Sequence, residues 1–140
     1  MKNLIVARFK DGKLLKGYTL DFSPVKSMFH LISDKGDDKG SSYEVNVDSL
    51  KAIFFVKKLG GNKDYKEKKR FEEVDSSHLK GLMIKVEFED GEVIRGKTMA
   101  YSANRQGFFV FPVDPNSNNE RIYVISSAVQ GVETGAGALD

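Results

Sequence analysis

The chain has 140 residues, 40% of them hydrophobic and 30% charged, and a formal net charge of +2. It contains no cysteine, which excludes disulfides, thiolate metal sites and cysteine nucleophiles and makes the cytoplasm the expected compartment. No apolar run approaches the roughly 20 residues of a membrane helix, the start Met1-Lys2-Asn3 is too soon charged for a signal peptide, and so small a net charge does not by itself point to nucleic acid.

Strands dominate from the N-terminus onward. Residues 4–9, 13–22, 28–33, 43–47 and 51–56 read as five short strands, and Asp11-Gly12 between the first two is a tight hairpin signal, since glycine accepts the positive φ the turn needs. Residues 34–42 form a flexible charged loop. The stretch Lys57-Lys58, then Lys63, Lys66, Lys68, Lys69 and Arg70, is the most basic of the chain and has two readings. It is a contact for phosphates, or, because Asp64, Glu67, Glu72, Glu73 and Asp75 are mixed through it, the solvated face of a short helix over residues 67–79 with Phe71, Val74 and His78 on one side. Strands resume at residues 83–88, 92–100, 107–113, 121–125 and 129–133, with Asp90-Gly91 as the second hairpin turn. Residues 135–140 are a small-residue tail, expected to be disordered.

The two sets of strands are copies. Phe9-Lys10-Asp11-Gly12-Lys13-Leu14-Leu15-Lys16-Gly17-Tyr18-Thr19 returns as Phe88-Glu89-Asp90-Gly91-Glu92-Val93-Ile94-Arg95-Gly96-Lys97-Thr98, an offset of 79 positions. Ile5 and Ile84, Ser23 and Ser102, Phe29 and Phe108, Val45 and Val124, and Ile53 and Val132 keep the same offset without a gap. The expected plan is therefore a first unit over 1–57, a charged linker over 58–80, a second unit over 81–134 and the tail. Units of roughly 55 residues lie near the lower limit for a self-sufficient core, so each leans on the other or on a second chain. Gly17 and Gly96 interrupt the second strand of each unit, where a missing side chain permits a sharp bend or a close backbone approach. Five short, bent antiparallel strands close most economically into a small barrel, because closure removes unpaired edges. The expected fold class is all-β, with two tandem five-stranded barrels.

Val86-Glu87-Phe88-Glu89-Asp90-Gly91-Glu92-Val93-Ile94-Arg95-Gly96 resembles the first Sm motif, and residues 123–132 resemble the final two-strand segment of Sm-like proteins, the bacterial Hfq type included. His78-Leu79-Lys80-Gly81 stands where that family ends its N-terminal helix. The resemblance implies tandem Sm-like, SH3-type barrels, with RNA as one partner class. In RNA-binding members the loop after the second strand carries an Asp, an aromatic or Met, and an Asn that holds a base. Here Asp21-Phe22 is followed by Ser23-Pro24-Val25-Lys26, and in the second unit only Asn104 corresponds to that Asn. The family's Arg-Gly signature before the last strand is missing in both units. Residues 107–121 resemble an uncharacterised bacterial domain found beside PilZ and response-regulator receiver domains, which implies a place in bacterial signalling and no particular activity. Asp21-Phe22-Ser23 resembles an element of PilZ proteins that bind cyclic di-GMP, but Lys26 stands where that element has glycine, and no Arg-x-x-x-Arg precedes it. A cyclic-dinucleotide effector ranks below the RNA reading.

Catalysis finds no support in the residues. His30 falls in a strand and His78 in the linker, Asp11 and Asp90 are turn residues, and no phosphate-cradling glycine loop, nucleophile elbow or metal-ligand spacing occurs. Neither enzyme activity nor a cofactor or metal is expected. The candidate partner site is Phe109, Phe111, Asp114, Asn116, Asn118, Asn119 and Arg121. Residues 114–119 either cap their own backbone in consecutive turns stiffened by Pro112 and Pro115, or present a rigid polar loop beside the two aromatics and the arginine as a recognition patch. The expectation is a non-catalytic interaction or scaffolding module with a protein partner. Homo-oligomers through the edges of the fourth and fifth strands are a further expectation, RNA binding is the alternative, and no membrane is involved.

Overall fold

The structure, a computed structural model, describes residues 2–75, 77 and 79–140. These residues are all-β, with helical structure limited to short 3-10 turns. The first half contributes β1 (Asn3–Phe9), β2 (Leu14–Thr19), β3 (Met28–Ser33), β4 (Ser42–Asn46) and β5 (Leu50–Val56). The second contributes β6 (Leu82–Phe88), β7 (Val93–Thr98), β8 (Gly107–Pro112), β9 (Asn119–Ile125) and β10 (Val129–Thr134). Every expected strand is present, though β2 and β7 stop earlier than expected, at Thr19 and Thr98.

Both Asp-Gly turns form as their chemistry requires. Gly12 and Gly91 take φ of +94° and +93°, and the carboxylates of Asp11 and Asp90 each accept the N–H two residues on at 2.9 Å. Gly17 and Gly96 are sites of close approach: a Cβ there would lie 1.9 Å from the carbonyl oxygen of Ile32 and 2.0 Å from that of Phe111.

All ten strands lie in one sheet of order β10-β6-β7-β8-β9-β5-β1-β2-β3-β4, each neighbouring pair antiparallel. Within each half the order is the same: fifth, first, second, third, fourth. The registers coincide as well. Ile5 faces Gly17 and Ile84 faces Gly96; Phe29 faces Val45 and Phe108 faces Val124. Even the irregularity repeats, between Arg8 and Phe9 on β1 opposite β5 and between Val129 and Gly131 on β10 opposite β6.

The joint between the halves is the β5–β9 ladder, where Ile53 faces Tyr123 and Phe54 faces Ile122. Successive strand residues point to opposite faces, and here both faces are apolar. Ile53, Phe55, Tyr123 and Ile125 join Ile5, Phe29, Leu31 and Val45 in one core, while Ala52, Phe54, Ile122 and Val124 join Ile84, Val86, Phe108 and Val110 in the other. Each core thus borrows side chains from the other half. An ionic tie reinforces the joint: Lys51 on β5, 8% exposed, donates to the Asp90 carboxylate at 2.7 Å and to Glu92, both from the β6–β7 turn.

The linker and the tail depart from expectation. Of the helix expected over residues 67–79, the described residues hold one 3-10 turn, Phe71–Glu73, and His78 lies outside the described residues. Tertiary bonds hold the preceding backbone instead, with the Lys68 N–H given to Asp114 at 2.7 Å. The closing residues, expected to be disordered, form the 3-10 turn Gly135–Leu139, whose Ala138 is buried with Phe71 and Val113.

Candidate functional site

The seven candidate residues divide into two groups on β8, β9 and the loop between them. Asp114 is 3% exposed and has no face to offer a partner. Its Oδ2 accepts the Tyr65 hydroxyl at 2.6 Å and the Lys68 N–H at 2.7 Å, and its Oδ1 accepts the Asn116 N–H at 2.9 Å. Burial pushes this carboxyl up, but the three donors outweigh it and hold the group below the usual carboxylate range. The same bond to Asp114 leads the causes that raise the Tyr65 hydroxyl.

Asn118 is committed in the same way. Its amide makes a two-point pair with the backbone of Lys58, accepting that N–H at 3.0 Å and donating to that carbonyl at 2.9 Å. Asn119 gives its N–H to the Ser117 hydroxyl at 3.0 Å and pairs with Val56 in the β5–β9 ladder. The polar loop therefore clamps the start and middle of the linker. Asn116 alone of the four loop candidates is exposed.

Phe109, Phe111 and Arg121 point elsewhere. They are half-buried and line a cleft of about 1090 Å³. One wall is the β2–β3 loop, with Phe22, Pro24 and Val25; the other runs from Thr98 at the end of β7 through the β7–β8 loop to Gly107. Gln106 ties the walls, its amide donating to the carbonyls of Pro24 at 2.8 Å and Lys26 at 2.7 Å. The floor is aromatic. Tyr123 and Phe109 lie 5.0 Å apart between ring centroids, and Phe22 stands edge-on to Tyr123 at 5.1 Å. Burial pushes the Tyr123 hydroxyl up, against the opposing Gln106 bond.

The electrostatics of the cleft are one-sided. Arg105 and Arg121 line it, and among the described residues no aspartate or glutamate does. The Arg121 guanidinium lies over the rings of Phe55 and Phe109, 4.4 and 5.4 Å from their centroids, which presents the cation to the cleft in a fixed orientation. Its Nε is buried and makes no hydrogen bond to any described residue. At the rim Val25 is 92% and Met99 67% exposed, large apolar surfaces left facing water.

Sequence reasoning missed Phe22, Val25, Met99, Arg105, Gln106 and Tyr123 as parts of one site, because two loops 80 residues apart build it. One signal was legible. At the offset of 79, Asp21 and His30 of the first half become Ala100 and Phe109. In the first half the Asp21 carboxylate accepts His30 N–H at 2.9 Å and Nδ1 at 2.6 Å. Its pKa is pushed up by burial and pulled down further by the His30 and Thr19 bonds, with a lowered net value. In the second half that polar pair is absent and the cleft occupies its place.

Among the described residues no group of three or more His, Cys, Asp or Glu is arranged to hold a metal ion, and no helix is long and apolar enough to cross a membrane. Residues 1–136 match the model of a family of unknown function (DUF6982). No curated protein and no solved structure matches the chain.

Proposed function

The chain belongs to this family of unknown function over residues 1–136, and we propose that it acts as a non-catalytic interaction module, built of two tandem Sm-like small barrels, that seats a segment of a protein partner in the cleft between its halves. The observation that carries this reading is the cleft itself: an aromatic floor, an apolar rim in Val25 and Met99, and two arginines with no acidic residue among the described residues of the lining. Aromatic and arginine side chains supply most interface hot spots, and the ladder registers shared at an offset of 79 support a duplicated unit.

The partner contact belongs to the cleft rather than to the sheet ends. The outer strands β4 and β10 carry exposed Glu44 and Glu133, and edge charges of this kind blunt pairing between copies. A setting in bacterial signalling is supported by the resemblance of residues 107–121, and a cytoplasmic one by the absence of cysteine.

Selection of phage-displayed random peptides on the intact protein tests the reading. Enriched peptides should bind the wild type and lose binding to Val25→Asp, Met99→Asp, a double variant of exposed side chains that leaves the fold unchanged. Enrichment of nothing, or of peptides that ignore the variant, would remove the cleft from the function. Copurifying absorbance at 260 nm with salt-dependent RNA binding would favour the RNA alternative.

A further inference from the structure

Comparison of the two halves at the offset of 79 assigns a chemistry to whatever enters the cleft. In the first half the start of β3 is finished by a side chain: Asp21 accepts the backbone N–H and the ring Nδ1 of His30, and the Thr19 hydroxyl donates to it at 3.2 Å. The matching positions in the second half are Thr98, Ala100 and Phe109. Thr98 is kept, 2% exposed, but its hydroxyl turns to the carbonyl of Phe109 at 2.8 Å. Ala100 has no oxygen to place where the Asp21 carboxylate would stand, and all three residues line the cleft.

The cations that line the same cleft favour an anion. Arg105 stands where the first half has Lys26, and Arg121 lies on the same sheet face as Phe109, which faces Tyr123 two residues on from Arg121. Without an acidic neighbour among the described residues of the lining, each cation can pair with an incoming charge, and a guanidinium prefers a carboxylate in a two-point geometry. The flanking surface is aromatic and apolar, unsuited to a bare ion.

We infer that the cleft takes an acidic peptide segment, in which the carboxylate of an aspartate or glutamate occupies the place Asp21 holds in the first half and a neighbouring apolar side chain packs on Phe109 and Phe111. The inference rests on the cleft being the partner site. The second half has no carboxylate of its own at this position, which is left to be filled in trans.

Two small probes test this without knowledge of the partner. 3-Phenylpropionate and its neutral counterpart 3-phenylpropanol are titrated into the ¹⁵N-labelled full chain at pH 7, with the Phe109 amide as the reporter. The acid should produce a saturable shift and the alcohol at least tenfold weaker binding. Ala100→Asp puts a carboxylate of the chain's own at the position and should bind the acid at least tenfold more weakly. Arg105→Glu, a change at an exposed side chain, should weaken it as well. An equal response to acid and alcohol, no response to either, or unchanged acid binding in both variants would overturn the carboxylate. If the phage selection yields cleft-binding peptides without acidic residues, the module reading stands and this inference falls. Acid binding in the absence of any enriched peptide would support the anion position and sink the module reading.

Discussion

Phe54 and Phe55 are consecutive residues of β5 that lie in different hydrophobic cores: Phe54 packs with Ile84, Val86 and Val110, and Phe55 with Ile5, Leu31 and Val45. A strand buried on both faces is the reason the two halves cannot be treated as separate beads. Phe54→Ala and Phe55→Ala should each cost about 3–4 kcal/mol by urea unfolding, the usual loss for a truncated core phenylalanine. Methyl NMR separates them. The first should move Ile84 and Val86 and the second Ile5 and Leu31, and a common pattern of shifts would contradict two cores on opposite faces.

Lys51 is 8% exposed and held by Asp90 and Glu92, whose side chains are themselves 56% and 43% exposed. Leaving a buried ammonium without partners is costlier than removing it. The double variant Asp90→Asn, Glu92→Gln should therefore destabilise more than Lys51→Met. Solvent screening of the carboxylates keeps the difference to about 1 kcal/mol. Denaturant midpoints in the reverse order would show that the joint is held by packing alone.

Asp114 sets a pH dependence. Its folded pKa is lowered: burial raises it, but hydrogen bonds from the Tyr65 hydroxyl and the Lys68 and Asn116 N–H groups outweigh that. A depressed carboxylate contributes stability that is present above its unfolded pKa of about 3.9 and lost as pH falls through the folded value. Asp114→Asn should cost about 2 kcal/mol at pH 7. It should also flatten the fall in urea midpoint below pH 4, so that wild type and variant converge in acid. Parallel profiles would mean that the linker is not held by this charge.

Gly96 leaves no room for a Cβ, which would meet the Phe111 carbonyl oxygen at 2.0 Å and Val110 Cγ1 at 2.7 Å. Gly96→Ala should cost about 3 kcal/mol, the upper range for forced overpacking. Gly131 is the control, since a Cβ added there would meet nothing within 4 Å and its φ is not positive; Gly131→Ala should stay within about 0.5 kcal/mol. Equal melting curves for the two variants would refute the close approach of β7 and β8.

The candidate site was legible only in part. Phe109, Phe111 and Arg121 were recognisable as an aromatic and cationic group, yet their role depends on Phe22, Pro24 and Val25 from the other half, which linear spacing does not reveal. Asp114 and Asn118 read equally well as a display or as a clamp, because the same donors and acceptors serve either purpose. Their partners, Tyr65 and the Lys58 and Lys68 backbone, lie 46 to 60 residues away.

Local chemistry in the chain was enough to place the ten strands and the two Asp-Gly turns, since alternation and positive φ act over a few residues, while of the bend or close approach open at Gly17 and Gly96 the structure chose close approach. Tertiary structure alone decided that β5 pairs with β9, that the linker is held to Asp114 through the Lys68 N–H, and that two loops enclose a cleft with no acidic side chain among the described residues of its lining. Those outcomes depend on which distant surfaces meet. The apolar run of β5 announces burial on both faces, but only the packed chain names the strand that supplies it.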